Sequence, residues 1–298
     1  MLEVKKYGAI DIGSNAIRLL VSNVIIAEDK EPQFKKSSLV RVPIRLGADA
    51  FVKGVISDEN IARMIDAIEA FKLLMSVHKV ERYKACATSA MREAINGKEV
   101  AEKILLKTGV KIDIIGGKEE AAIISSTDLN QLIEGDNSYL YVDVGGGSTE
   151  FTIFSGGKIV TSKSFKIGTV RLLNNKKSVN KEMFAHVEKW IKKNTKDLKR
   201  LSLIGSGGNI NKLFKMSGRT EGKPISFIYL NAQYQFLKQM TFDERVSELS
   251  LNPDRADVII PATKIYLSAM KWSGARKIYV PKIGLADGII KSLFFNKL

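Results

Sequence analysis

An aspartate that closes an apolar run, a glycine loop and a second apolar run occur together twice in this chain, 132 residues apart. The first copy is Ile10-Asp11-Ile12-Gly13-Ser14-Asn15-Ala16-Ile17-Arg18-Leu19-Leu20-Val21. The second is Val142-Asp143-Val144-Gly145-Gly146-Gly147-Ser148-Thr149-Glu150-Phe151-Thr152-Ile153. Glycines let backbone amides converge on an anion without a side chain in the way. Ser14 and Asn15 add side-chain donors to the first loop, while Gly145, Gly146 and Gly147 need none. Two such loops facing each other would grip phosphate from both sides. Asp11 and Asp143 would repel that phosphate, so their presence fits a hard divalent cation, magnesium first among them.

Other residue types extend this chemistry, each with a plainer competing role. Arg92, preceded by Thr88 and Ser89, offers a fork-shaped phosphate contact or a surface arginine at a helix start. Glu120 follows Gly116-Gly117 and suits either a carboxylate that takes a proton from an attacking water or a helix-start acid favoured by the dipole. Glu150 could hold a metal through water, orient the nucleophile, or sit as a solvated strand residue. Arg255 could hold an anion, and Asp257 suits the first turn of an apolar helix. His78 and His186 lie far apart, leaving little material for a histidine metal site or a Ser-His-Asp relay. Cys86, the single cysteine, lies in an apolar run and reads as a buried thiol.

The elements that must position these groups repeat as well. Residues 6–26 read as a hairpin around the first loop, and residues 37–46 as a third strand with Val40, Val42 and Ile44 alternating. From Ser57 as N-cap, Ile61, Met64, Ile65, Ile68, Phe71 and Met75 recur at helical spacing, a core-packing stripe. A strand over 83–87, a helix over 93–108 interrupted near Gly97 and a strand over 111–115 follow. Gly116-Gly117-Lys118-Glu119-Glu120 then opens the next helix at the junction of the halves. The second half repeats the order: hairpin from Tyr139, strand over 158–166, helix over 181–196, strand over 201–204. A third glycine loop, Gly205-Ser206-Gly207-Gly208-Asn209, and a fourth, Ile283-Gly284-Leu285-Ala286-Asp287-Gly288, also follow strands. In α/β architectures ligands bind at that end of a strand.

Composition bounds the partners. A chain of 298 residues, 45% apolar and 27% charged, can bury one large core or two ordinary ones, and the duplication favours two. Its net charge of +15 points to polyanionic partners. The lysines of 189–200 are spread as on a solvated helix face. Without aromatic interleaving or a groove-reading motif, no specific nucleic-acid partner is expected. No leader-like opening and no apolar run near the roughly 20 residues of a membrane span are found, so a cytoplasmic protein without membrane attachment is expected.

Residues 9–20, 87–94, 117–121, 141–151, 167–172, 204–213 and 255–265 together resemble the exopolyphosphatase and guanosine pentaphosphate phosphohydrolase family, in a short two-domain form. The resemblance implies an α/β fold of two ribonuclease-H-like domains of the actin, sugar kinase and chaperone ATPase superfamily, with an interdomain cleft. The domains would be 1–125 and 126–298, with the terminal helix able to pack back on the first. It further implies removal of the terminal phosphate from polyphosphate, or from the 5′ end of pppGpp in the stringent response, with magnesium. Polyphosphate or guanosine penta- or tetraphosphate would be the partner, with a homodimer left open. By the same resemblance Glu120 is the general base and Asp143 and Glu150 hold the metal. Asp11, Gly13, Ser14, Asn15, Arg92, Gly145, Gly146, Gly147, Ser148, Gly207 and Gly208 line the phosphate site. Asn209 stands where the family usually has threonine, and Lys282 and Ala286 replace residues that are often acidic and basic, which bears on chain-length preference. Two rival readings are an ATP-dependent small-molecule kinase on the same scaffold and a non-catalytic nucleotide- or alarmone-binding module.

Overall fold

The computed structural model describes residues 2–125, 127 and 137–298. It divides into two compact units, Met1–Thr127 with Leu285–Leu298, and Asp128–Gly284. The C-terminal segment thus groups with the first unit. The boundary expected at 125/126 falls at the edge of the residues left undescribed.

The first unit runs β1 (Leu2–Ile12), β2 (Ile17–Ala27), β3 (Gln33–Val42), α1 (Leu46–Ala50), α2 (Asp58–Val77), β4 (Arg82–Ala87), α3 (Ser89–Glu93), α4 (Gly97–Thr108), β5 (Ile112–Ile114) and α5 (Gly117–Ser125). Its sheet has the order β3-β2-β1-β4-β5. β1, β2 and β3 form an antiparallel meander, and β4 and β5 run parallel to β1. Alternation along β1 sends Ile10 and Ile12 into a core with Met64, Ile68 and Phe71 of α2. Ser57 caps α2 as expected, its side chain accepting from Asn60 N. The interruption expected near Gly97 is a break between α3, which ends at Glu93, and α4, which begins at Gly97. Ala94 takes an extended backbone conformation, and the Asn96 side chain bonds both the N–H and the C=O of Ile56, each at 2.9 Å.

The second unit runs β6 (Ser138–Val144), β7 (Thr149–Ser155), β8 (Lys158–Phe165), α6 (Thr169–Asn174), α7 (Lys177–Thr195), β9 (Leu201–Ser206), α8 (Gly208–Met216), β10 (Ile225–Ser226), α9 (Phe227–Gln239), α10 (Phe242–Ser247), α11 (Pro253–Ala256), α12 (Ile259–Ser273) and β11 (Lys277–Tyr279). The sheet order is β10-β11-β9-β6-β7-β8. Again three antiparallel strands, β6 to β8, are followed by a strand, β9, parallel to the first. α12 packs its buried Ala262, Ile265, Tyr266 and Ala269 into the same core as Leu140, Val142 and Leu203 of the sheet. Asp257 caps the C-terminus of the short α11 rather than opening the long helix, because the chain turns again before Ile259.

The last helix, α13 (Leu285–Phe294), belongs to the first unit. Phe294 meets Tyr7 and Phe34 edge-to-face at 6.2 and 5.6 Å, and Asp287 pairs with Lys36 at 2.8 Å. The fold class is the expected one: two α/β units, each built on a ribonuclease-H-like sheet.

Candidate active site

In the second unit the antiparallel register sets Asp143 of β6 directly opposite Glu150 of β7. Directly opposed residues share one face of the sheet with Cβ atoms about 5 Å apart. Two carboxylates are therefore held side by side at the mouth of the loop. Glu150 is buried, and its Oε1 accepts from Ser148 Oγ at 2.7 Å and Ser164 Oγ at 2.8 Å.

The loop between them is fixed by its carbonyls. Gly145 O accepts from Thr169 N at 3.0 Å, Gly146 O from Val170 N at 2.9 Å, and Gly147 O from Arg171 Nε at 2.9 Å. All three donors lie at the start of α6. In a trans peptide plane the N–H points opposite to the C=O. The amides of Gly146, Gly147 and Ser148 are consequently turned away from α6, three donors in succession, which is the geometry of an anion cradle. The approach of α6 requires glycine at position 168, where a Cβ would stand 2.3 Å from Gly146 O.

The third glycine loop joins this site. Ser206 of β9 is the parallel register partner of Asp143. Gly207 has φ of +116°, and a Cβ there would lie 3.0 Å from Val144 O and 3.6 Å from Asp143 Oδ1. Gly208 begins α8, and a Cβ on it would meet Arg255 Nη2 at 3.0 Å. Arg255 also reaches Lys212 electrostatically. Burial, then the charges of Lys215 and Arg255, lower the pKa of that lysine. Two buried tyrosines, Tyr141 and Tyr266, have pKa values well above the ordinary range, chiefly from burial and next from the Asp143 charge.

The first unit repeats the backbone device with different side chains. Ser14 O accepts from Gly47 N at 2.7 Å and Asn15 O from Arg45 N at 3.0 Å, so α1 and its N-cap hold this loop as α6 holds the other. By the same peptide geometry the Asn15 and Ala16 amides point the other way. At the rung that carries Glu150 in the second unit, the first carries Arg18. It is the register partner of Asp11 and is bonded to it, Nη1 to Oδ2, at 2.8 Å.

Hydrogen bonds tie this loop to the segment bearing Glu120. Ser14 Oγ and Ser89 Oγ lie 2.9 Å apart, and Ser89 opens α3, which carries Arg92. Arg92 Nη1 donates to Ile115 O at 2.7 Å, immediately before Gly116. Glu120 is buried in the first turn of α5, its N–H bonded to Gly116 O at 2.9 Å. Nearby, Lys84 of β4 and Asp113 of β5 pair at 2.7 Å. Their hydrogen bond raises the lysine pKa and, against burial, holds the aspartate below its usual value. Cys86 is buried, and burial pushes its thiol up to about 12, so it is no nucleophile.

Within the first unit the structure links Asp11, Ser14 and Asn15 through their loop to Arg92 and, by way of Ile115, to the Glu120 segment. Within the second it gathers Asp143, Glu150, Gly145 to Ser148, Gly207 and Gly208. Sequence reasoning missed Gly168, Arg171, Ser164 and Tyr266. Gly168 and Arg171 lie in a segment whose only signal was the resemblance itself, and Tyr266 lies in an apolar helix that reads as core.

The donor set suits a small hard cation. Asp143 and Glu150 supply oxygen from adjacent strands, and two like charges at one rung favour a counterion between them. Among the described residues no cluster of three or more His, Cys, Asp or Glu side chains could hold a metal. A cation here would complete its shell with water and phosphate oxygens, as magnesium does. Among the same residues no helix is long and apolar enough to cross a membrane.

Comparison with known proteins bears on this arrangement. Residues 25–296 match the model of the Ppx/GppA phosphatase family. A bifunctional 3-dehydroquinate synthase/phosphatase of Fusobacterium nucleatum is 29% identical over 97% of this chain, which spans 46% of that protein. Exopolyphosphatase 2 of Mycobacterium tuberculosis is 26% identical, with 98% of this chain and 99% of that protein covered. The crystal structure of an exopolyphosphatase from Cytophaga hutchinsonii superposes with a TM-score of 0.85 at 23% identity, covering 98% of each chain, a likeness of fold.

Proposed function

The chain belongs to the Ppx/GppA phosphatase family, and we propose that it is a magnesium-assisted hydrolase of phosphoanhydride chain ends. The observation that carries this reading is the second-unit loop, where three successive amides turned from α6 stand beside two opposed carboxylates. Such a site suits a cation and a phosphate taken together, not either alone.

The substrate class follows from charge and from the relatives. A net charge of +15 attracts a polyanion, and the similar protein of Mycobacterium tuberculosis is named an exopolyphosphatase. Inorganic polyphosphate is the substrate proposed first, with the 5′ end of pppGpp as the second. A cytoplasmic location is part of this proposal, and action on pppGpp would join the protein to the stringent response.

In this reading Gly145 to Ser148 and Gly207 to Gly208 of the second unit bind phosphate oxygens, and so do Gly13 to Asn15 with Arg92 of the first. Asp143 and Glu150 hold magnesium, which when bound neutralises phosphate oxygens in the transition state. Glu120 takes a proton from water as its oxygen forms a bond to the terminal phosphorus. The bond from that phosphorus to the bridging oxygen breaks, and the shortened chain departs with that oxygen.

The test is phosphate release from polyphosphate and from pppGpp, with and without magnesium. Glu120→Gln should lower turnover by about two to four powers of ten while polyphosphate binding is retained. Turnover unchanged by Glu120→Gln removes the base, and no release from either substrate removes the hydrolytic reading. ADP formation dependent on an added acceptor would favour a kinase instead.

A further inference from the structure

The parallel ladder between β6 and β9 runs through the pairs Val142 with Gly205 and Asp143 with Ser206, and there it stops. Beyond it the two chains separate into the two glycine loops of the second unit. A parallel pair that ends in the interior leaves backbone donors and acceptors that need partners. Here one side chain from α12 fills the gap. Tyr266, fully buried, donates its hydroxyl to Ser206 O, the carbonyl at the end of β9. Val144 O, at the end of β6, lies on the same side: a Cβ on Gly207 would stand 3.0 Å from it. Immediately beyond, a Cβ on Gly207 would stand 3.3 Å from that hydroxyl.

We propose that Tyr266 is a positioning residue, its hydroxyl standing in for the missing rung between β6 and β9 and so setting the spacing of the two loops that cradle phosphate. A tyrosine suits the task because a hydroxyl accepts and donates at once. Phenylalanine would fill the same volume with neither function. The core alone does not explain the hydroxyl. Tyr141, buried beside the same Asp143, makes no hydrogen bond from its hydroxyl to either loop backbone.

The kinetic part of this inference rests on the hydrolytic reading; the structural part does not. The experiment is Tyr266→Phe, read first by hydrogen exchange and then by binding of inorganic phosphate with magnesium, with Tyr141→Phe as the comparison. In Tyr266→Phe, exchange at residues 144–148 and 205–208 should rise together. Phosphate affinity and kcat should fall by about ten- to a hundredfold, the scale of a small misplacement at a reacting centre. Tyr141→Phe should leave 144–148 protected. Gly207→Ala, which presses a Cβ toward the same hydroxyl, should give the Tyr266→Phe pattern from the other side and serves should that variant fold poorly. Unchanged exchange in both segments, loosening of only one of them, or equal effects of the two tyrosine substitutions would overturn the proposal. A wild-type protein that releases no phosphate while the exchange pattern holds would sink the hydrolytic reading and leave the wedge standing.

Discussion

The two glycine loops hold their backbones in the same way and their charges in opposite ways. Each has its carbonyls bonded by the start of a short helix, α1 for the first and α6 for the second, so that its amides face away from that helix. Yet the rung that opens the first loop pairs Asp11 with Arg18 at 2.8 Å, and the rung that opens the second pairs Asp143 with Glu150. The first loop carries its own countercharge. The second sets two carboxylates at one rung, an arrangement that favours a cation between them. The same strand-loop-strand unit thus makes two loops with different charge, and the proposed metal site falls in the second.

The sharpest way to break this comparison is to neutralise the two aspartates separately. Asp143→Asn should lower turnover by about a hundred- to a thousandfold, the scale of losing one preorganised electrostatic group. Magnesium without substrate should raise the melting temperature of the wild type, and Asp143→Asn should abolish that rise. Asp11→Asn should leave that rise intact, because the partner of Asp11 is already in the chain. Equal loss of the magnesium response in both variants would erase the distinction.

A smaller effect is expected at the brace of the second loop. In Gly168→Ala the new methyl would meet Gly146 O at 2.3 Å, backbone against backbone, so α6 must withdraw. Urea unfolding should show a loss of about 1–3 kcal/mol, as for other overpacked sites, with weaker phosphate binding measured by calorimetry. Smaller again is Arg18→Gln, which leaves Asp11 buried without its cation. With the arginine side chain 36% exposed, the cost should be about 1–2 kcal/mol rather than that of a fully buried pair. The variant should also gain a magnesium response in the first unit, detectable as a melting shift in the Asp143→Asn background.

Much of this was legible before any coordinates. A hairpin folded about Gly13 to Ala16 must pair Asp11 with Arg18, and one folded about Gly145 to Ser148 must pair Asp143 with Glu150, because register follows from loop length. Both contrasts were therefore present in the sequence, where Asp11, Asp143 and Glu150 already stand out. What could not be read is what depends on chain far away. Thr169 to Asn174 is too short to show helical periodicity, and its role comes from Gly168 lying against Gly146. Lys84 finds Asp113 across two neighbouring strands that no local pattern pairs. Tyr266 sits in an apolar helix, and only the end of the β6–β9 ladder gives its hydroxyl a purpose.

The smallest expected effect separates the braces themselves by pH. Asp49 of α1 is buried, and its Oδ2 accepts from Ser57 N at 3.0 Å, from Ser57 Oγ at 2.5 Å and from Asn60 Nδ2 at 2.8 Å, fastening the brace of the first loop to the start of α2. Burial works against its charge, but the bonds from Ser57 and Asn60, with Lys53 nearby, outweigh it and lower its pKa below the ordinary 3.8. A carboxylate whose folded pKa is depressed adds stability that is present above its unfolded value and is lost as pH falls through the folded one. α6 is tethered instead by a neutral group, Asn180 Nδ2 donating to Leu172 O at 2.9 Å. Asp49→Asn should therefore cost about 1 kcal/mol at neutral pH, and the gap from the wild type should close on acidification below the usual carboxylate range. Hydrogen exchange over that acid range should rise at residues 45–50 and not at 168–174. Matching rises in both segments would show that the two braces do not differ in the way their tethers require.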